Sequence, residues 1–201
     1  MTFKEYYMTP LWLQEYASHI DSYHSMADDQ ITFNAGILNN ALLLKVRLVA
    51  VGELTDGTSL TVEVTMASVP QSRDCDPRYG LSDGTNFIGF ATVDIHEYGL
   101  VAPCYGMEAT SGKSLSNTQA LASEFPKPSE KFYPDEFVFT LKPEKSRGWC
   151  FTPHDRGFTK TAEYSKRLKL SQGLSLEVYK MQSGESVSIK YIKVVITKTG
   201  N

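Results

Sequence analysis

Apolar and polar residues alternate along much of the chain after residue 30, the pattern of a strand with one buried face. Residues 42–50 carry an apolar side chain at every second position, with the charged Lys45 and Arg47 on the other side of the predicted strand. Residues 60–66 repeat the alternation after the turn-forming pair Asp56 and Gly57. An Asp-Gly pair between alternating runs is typical of a hairpin, so these segments predict a hairpin with one face toward a core.

Two further pairs of strands follow from the same pattern. Asp83 and Gly84 separate residues 79–81 from residues 86–93, which predicts a second hairpin, and Gly89 within it predicts a bulge or a close backbone approach. Residues 174–179 and 187–197 form a closing pair of strands. The apolar phase changes near Tyr191, which predicts a bulge or a strand that is buried on both faces.

The remaining segments complete the predicted architecture. Residues 1–30 carry apolar side chains at helical spacing around Trp12, which indicates a short helix or an ordered arm. Nine or ten strands and at most one helix predict an all-β, two-sheet antiparallel sandwich, with an arm at 1–30 and one sandwich domain at 31–201. Residues 108–135 are the long irregular stretch, of the kind that is often functional or ordered by a partner.

Composition narrows the class of protein. The chain has 201 residues, of which 41% are hydrophobic and 21% charged, so a core large enough to fold without metal or disulfide is expected. The net charge of −3 gives no basic footprint for nucleic acid, and the basic stretch at 160–169 is interpreted as solvated. The sequence holds no apolar run of about 20 residues, so no membrane span is expected. The first residues lack the core of a secretory signal, which predicts either a cytoplasmic protein or a mature secreted form.

The three cysteines leave the redox state open. Cys75, Cys104 and Cys150 permit one disulfide and one thiol, or three thiols, and none of them forms a Cys-x-x-Cys pair. If one bridge forms, Cys104–Cys150 is favoured, because each of these two cysteines sits beside an aromatic residue. Three buried, inert thiols are the alternative.

Catalytic and metal-binding patterns are weak. Cys150, His154 and Asp155 lie close in sequence, but no single strand or helix aligns them, and no hydrolase, zinc-protease or phosphate-loop motif is present. The chain is therefore predicted not to be an enzyme and to need no cofactor. Calcium is the favoured metal hypothesis over a transition ion at His19 and His24, since carboxylate and amide oxygens suit calcium, although turn chemistry explains the same residues. The candidate calcium ligands are Asp74, Asp76, Asp83 and Asn86.

Aromatic residues near predicted strand ends suggest a binding surface. Sugars are held by an aromatic face and a few fixed polar groups, and protein contacts also concentrate on tyrosine, tryptophan and arginine. The aromatic residues of the amino-terminal arm fit the second use, packing on the sandwich or on a neighbour. The candidate ligand-binding residues are Tyr79, Tyr105, Trp149, His154, Asp155 and Arg156.

The pattern of strands also resembles that of a known family of folds. Residues 174–196 and 42–68 are similar to the hairpins of concanavalin-like jelly rolls, including galectin-type and laminin-G-like modules. Residues 76–90 resemble a stretch of poorly characterised extracellular proteins of sponges. The resemblance implies a jelly roll, glycan or matrix binding and an extracellular location, but no site is carried over. The galectin-type sugar signature is not matched, and the paired metal loop of legume-type lectins is not visible.

These observations lead to two hypotheses about function. The first is a non-catalytic, lectin-like module that recognises a glycan or extracellular matrix. The second is a structural scaffold that assembles with itself or with a protein partner in a matrix or a biomineral-associated fibre.

Overall fold

Strands dominate the protein, as the alternation of apolar and polar residues predicts. The structure is a computed structural model that describes residues 1–16, 23–34, 36, 41–70, 77–95, 100–110, 119–120, 137–144, 148–153, 162–163, 167–180 and 186–198. The strands are β1 Thr2–Met8, β2 Tyr23–Ala27, β3 Gln30–Asn34, β4 Ala41–Val49, β5 Leu60–Pro70, β6 Arg78–Ser82, β7 Asn86–Ile95, β8 Leu100–Thr110, β9 Gln119–Ala120, β10 Phe137–Glu144, β11 Gly148–Pro153, β12 Ala162–Glu163, β13 Leu174–Lys180 and β14 Ser186–Lys198.

Two antiparallel sheets contain these strands. The first sheet has eight strands in the order β12-β11-β10-β5-β14-β3-β2, with β1 also paired to β14. The second sheet has six strands in the order β4-β13-β6-β7-β8-β9. The predicted all-β sandwich of the jelly-roll type is therefore confirmed.

A hydrophobic core fills the space between the sheets. The first sheet contributes side chains such as Val64 and Val194, and the second contributes side chains such as Leu176 and Val178, all of them buried in one cluster. Burying aliphatic side chains of this size stabilises the fold by roughly 1.5–3 kcal/mol each. The core thus requires apolar residues on the inner side of each sheet, and it does not restrict the residue types on the outer sides.

The predicted hairpin of residues 42–50 and 60–66 is wrong. Its two strands lie in different sheets, since β4 pairs with β13 and β5 pairs with β10 and β14. The turn at Asp56 and Gly57 is local, because the Thr58 amide donates to the Thr55 carbonyl at 3.0 Å. The connecting segment runs instead beside a 3-10 turn, Leu170–Gln172, where the Gly52 amide donates to the Ser171 carbonyl at 2.9 Å. Two strands with one apolar side each can face one another across a core as well as pair edge to edge.

The closing pair of strands differs from expectation in the same way. β13 belongs to the second sheet and β14 to the first, so they are not a hairpin. The hairpin at Asp83 and Gly84 is confirmed, with β6 and β7 in register from Arg78–Ala91 to Ser82–Phe87. The bulge near Tyr191 is also confirmed, because the register of β14 against β5 shifts between Ile189 and Tyr191.

The amino-terminal segment joins the first sheet. β1 pairs with β14, and a short helix, α1 (Pro10–Leu13), follows it with Thr9 as its N-cap. Leu13 is fully buried in the core cluster. The Tyr6 hydroxyl donates to the Leu48 carbonyl of β4 at 2.8 Å, so this segment also touches the second sheet. The division into an arm at 1–30 and a domain at 31–201 stays a prediction.

Within the described ranges, no helix has the length and the apolar character needed to cross a bilayer.

Candidate functional site

The outer side of the second sheet is the best candidate for a functional surface. In β13, Leu174, Leu176 and Val178 face the core, so Ser175 and the alternate residues beyond it face outward. Cross-strand register places partners from β4, β6 and β7 beside them. We call this surface the polar face, and its described residues are Leu42, Lys45, Arg47, Arg78, Gly80, Ser82, Phe87, Gly89, Ser175, Glu177 and Tyr179.

Glu177 is the central charged residue of the polar face. It is only 2% exposed, although it points away from the apolar core. Its Oε2 accepts a hydrogen bond of 2.6 Å from the Tyr179 hydroxyl, and its Oε1 lies 3.5 Å from the Lys45 Nζ. Because removing a carboxylate from water costs several kcal/mol unless it is paired, these two partners are what makes this burial tolerable.

Two described aromatic residues of the polar face lie against each other beside this group. The Phe87 and Tyr179 rings meet edge to face with centroids 5.7 Å apart. Burial raises the pKa of the Tyr179 phenol well above its ordinary value, and the neighbouring Glu177 charge raises it further. The phenol therefore stays protonated at neutral pH and donates to Glu177.

Two glycines allow the middle strands to approach each other. Gly80 pairs directly with Gly89, and a Cβ on Gly89 would meet the Tyr79 carbonyl oxygen and would lie 2.7 Å from the Gly80 Cα. A Cβ on Gly80 would lie 2.6 Å from the Phe87 ring. The predicted close approach at Gly89 is confirmed, and it lets the Phe87 ring lie over the strand.

The polar face is open at one margin. β4 is the edge strand of the second sheet, and it carries Lys45 and Arg47 on this face. The Lys45 side chain is 37% exposed and Arg47 is exposed, whereas Arg78 and Ser82 on β6 are buried. A ligand would therefore approach over β4, beside the two accessible cations.

The sequence-predicted ligand residues do not all come together. Tyr79 is 1% exposed and belongs to the core cluster, so it packs between the sheets instead of lining a surface. Tyr105 lies on β8 of the second sheet, in register with Ala91 and through it with Arg78. Trp149 lies on β11 of the first sheet, paired with Pro143. The side chains of Tyr105 and Trp149 are not described, and His154, Asp155 and Arg156 lie outside the described residues.

Asp83 and Asn86, the described members of the predicted calcium cluster, take part in hydrogen bonds that stabilise a turn. The Asp83 Oδ1 accepts hydrogen bonds from the amides of Thr85 at 2.8 Å and Asn86 at 2.6 Å, and its Oδ2 accepts one from the Lys169 amide at 2.7 Å. These contacts account for Asp83 as turn chemistry. Asp74 and Asp76 lie outside the described residues, and the residues that are described contain no group of three metal-binding side chains. The calcium site stays a prediction.

The favoured disulfide also stays a prediction. Cys104 lies on β8 of the second sheet and Cys150 on β11 of the first, and only their backbone is described. Cys75 lies outside the described residues.

Sequence reasoning missed the polar face. Its signal lay in the composition of the outward positions of β13, where Ser175, Glu177 and Tyr179 alternate with leucine and valine. The same alternation is expected of a strand whose outer side is exposed to solvent. What distinguishes it is burial, which depends on cross-strand partners that are distant in sequence.

The whole chain is similar to known two-sheet lectin folds. Peanut lectin with a nine-residue peptide matches at a TM-score of 0.52 and 9% identity, covering 100% of both chains. The CBM2 module of the evolved Dit of Lactobacillus casei BL23 phage J-1 matches at 0.50 and 9% identity, covering 99% of this chain and 92% of that one. The Emp47p carbohydrate recognition domain matches at a TM-score of 0.50 and 10% identity, covering 94% of each chain.

No protein-family model and no curated protein sequence matches the chain. At identities of 9–10% the structural likeness establishes the fold. It leaves the resemblance to sponge proteins as a prediction.

Proposed function

We propose that the protein is a carbohydrate-binding module that holds its ligand on the polar face. The observation that carries the proposal is the buried carboxylate of Glu177, fixed by the Tyr179 hydroxyl and by Lys45 on the side of the sheet that the core does not use. Fixed polar groups are the usual means of orienting a sugar, because its rim carries hydroxyl groups.

The known proteins with this fold support the choice of ligand. Two of the three similar structures are described as a lectin and as a carbohydrate recognition domain. Because a fold hosts many functions, the polar face and not the fold is the reason to expect binding here. The proposal treats the protein as non-catalytic, and incubation of a bound oligosaccharide followed by mass analysis of the products checks that part.

A glycan array tests the proposal. The wild-type protein is expected to bind at least one glycan. Glu177→Gln is expected to weaken that binding about tenfold, because it removes the charged contact that fixes Lys45 at the open margin, and a contact of this kind contributes roughly 1.5–3 kcal/mol. The matched control is Glu63→Gln on the outer side of the first sheet, where the carboxylate is exposed. A protein that binds no glycan, or equal losses in both variants of normal thermal stability, contradicts the proposal.

Self-assembly is the second candidate function, and one surface favours it. Tyr7 is 62% exposed and stacks on Tyr191 with ring centroids 5.8 Å apart, and Leu11 nearby in sequence is 72% exposed. Exposed aromatic and aliphatic side chains of this kind are common in protein contacts. Sedimentation of the protein over a range of concentrations tests this candidate. If the protein is a scaffold, the wild type is expected to associate with itself as its concentration rises, and the Tyr7→Ser variant is expected to stay monomeric.

A further inference from the structure

Arg47 is an exposed cation on the polar face with no acidic partner among the residues that the structure describes. Arg47 lies opposite Ser175 in the pairing of β4 with β13, and Ser175 is two residues before Glu177 on the same face. A Cβ on Gly173 would lie 2.5 Å from the Arg47 Nη1, so the guanidinium lies directly against the glycine backbone. Glycine at this position, with a φ of +83°, therefore makes room for the guanidinium beside the strand.

Lys45 provides a second accessible cation on the same side of β4. It lies two residues before Arg47 on the same side of the strand, which places the two residues about 7 Å apart along the backbone. Its Nζ contacts Glu177 at 3.5 Å, and its side chain is 37% exposed. Because an ammonium group has three donors, this single contact leaves donors that a ligand can use.

The polar face as a whole is cationic in its described part. Its open margin carries Lys45 and Arg47, against the single described carboxylate of Glu177. The outer side of the first sheet is different, because Lys193 lies 3.6 Å from Glu5 and Lys190 lies 3.9 Å from Asp29. A surplus of positive charge, concentrated at the open margin of one face, is complementary to an anion.

We infer that the polar face binds an acidic saccharide, whose carboxylate or sulfate group contacts Arg47 and Lys45 on β4. This inference rests on the proposed function and names the class of ligand. Arginine presents a planar set of donors that matches the oxygens of a carboxylate or a sulfate. Glu177 acts as a positioning residue because it holds the Lys45 ammonium, and Tyr179 acts through it because its hydroxyl donates to the Glu177 carboxylate.

The experiment uses the full chain on an array of neutral, carboxylated and sulfated oligosaccharides, followed by calorimetric titration of the strongest binder. Acidic glycans are expected to dominate the bound set. Reducing the carboxyl group or removing the sulfate of the strongest binder is expected to weaken binding at least tenfold, and whichever treatment does so identifies the anion. Arg47→Gln is expected to cause a loss of similar size.

The control variant is Lys193→Gln, which removes a cation from the outer side of the first sheet and leaves the polar face unchanged. It is expected to change the affinity less than twofold. Equal losses in Arg47→Gln and Lys193→Gln would indicate general charge attraction and overturn the inference. Binding of neutral glycans that depends on Glu177 but not on Arg47 also overturns it and leaves the proposed function standing. An array without any bound glycan rejects both.

Discussion

The outer sides of the two sheets are built from similar residues but are used differently. On the first sheet, Tyr7 is 62% exposed, and the pair of Lys193 and Glu5 is about half exposed. On the second sheet, Tyr179 and Glu177 are each 2% exposed, although they also point away from the core. A tyrosine hydroxyl and a carboxylate that are exposed to water need no partner in the protein, whereas the same groups, when buried, need a hydrogen-bond partner. The difference indicates that the polar face is held together by buried polar contacts, whereas the residues on the outer side of the first sheet are exposed to solvent.

The largest effect is expected where the polar face is most tightly built. Gly89→Ala should lower the free energy of unfolding by about 3 kcal/mol, because the new Cβ meets the backbone of Tyr79 and Gly80, which cannot move aside. Thermal unfolding should show a drop of about 6–12 °C in Tm. Gly57→Ala is the control, since nothing lies within 4 Å of its Cβ. Equal melting temperatures for both variants would mean that β6 and β7 are not in close contact.

Tyrosine-to-phenylalanine substitutions sharpen the comparison of the two faces. Tyr179→Phe should destabilise the protein by about 1–3 kcal/mol, because it leaves the buried Glu177 carboxylate without its hydroxyl donor. Tyr7→Phe removes an exposed hydroxyl and should change stability by less than about 0.5 kcal/mol. Urea unfolding of both variants measures the difference, and similar midpoints would show that the hydroxyl of Tyr179 contributes nothing to the polar face.

The smallest effect is expected at a partly exposed ion pair between β1 and the segment after β4. The Lys4 Nζ donates to the Glu53 Oε2 at 2.7 Å, and this bond and the Ala50 amide hold the pKa of Glu53 below its ordinary value. A carboxyl whose pKa is lowered on folding stabilises the protein above its ordinary pKa and loses that contribution as the pH falls through the folded value.

Glu53→Gln should therefore cost about 0.5–1 kcal/mol at pH 7, the size of an ordinary surface pair. The difference from wild type should shrink as the pH falls below the ordinary carboxyl pKa of 4.5, and unfolding curves over a series of pH values check it. A difference that stays constant down to the lowest pH at which the protein is folded would assign the effect to packing and not to charge.

The alternation of apolar residues predicted the strands but not the sheets to which they belong. β4 and β5 each show one apolar side, and this pattern is the same whether two strands pair with each other or face each other across a core. The Asp83–Gly84 hairpin was predictable because a tight turn leaves the chain no other partner than the adjacent strand. The turn at Asp56 and Gly57 lies inside a longer connection, so it does not constrain the strands on either side.

The candidate site was less predictable for a related reason. Glu177 depends on Lys45, which is remote in sequence, and on the pairing of β4 with β13. Tyr79 has the aromatic character of a ligand residue, but its position on the core side of β6 follows only from the register of that strand. A one-residue difference in register separates a surface residue from a core residue, and single-sequence patterns do not fix it here.

The pairing of the first strand with the last has a consequence for synthesis. β1 lies against β14, and the Met1 amino group is 3.4 Å from the Lys198 carbonyl oxygen. A ribosome releases β1 long before β14, so the first sheet cannot be completed until nearly all of the 201 residues have emerged. Contacts between such distant parts of a chain carry a large loop-closure entropy and slow folding. Until β14 has emerged, the edge of β5 that pairs with it therefore stays unpaired, and the yield of the protein in a cell should depend on chaperones that shield unpaired strands.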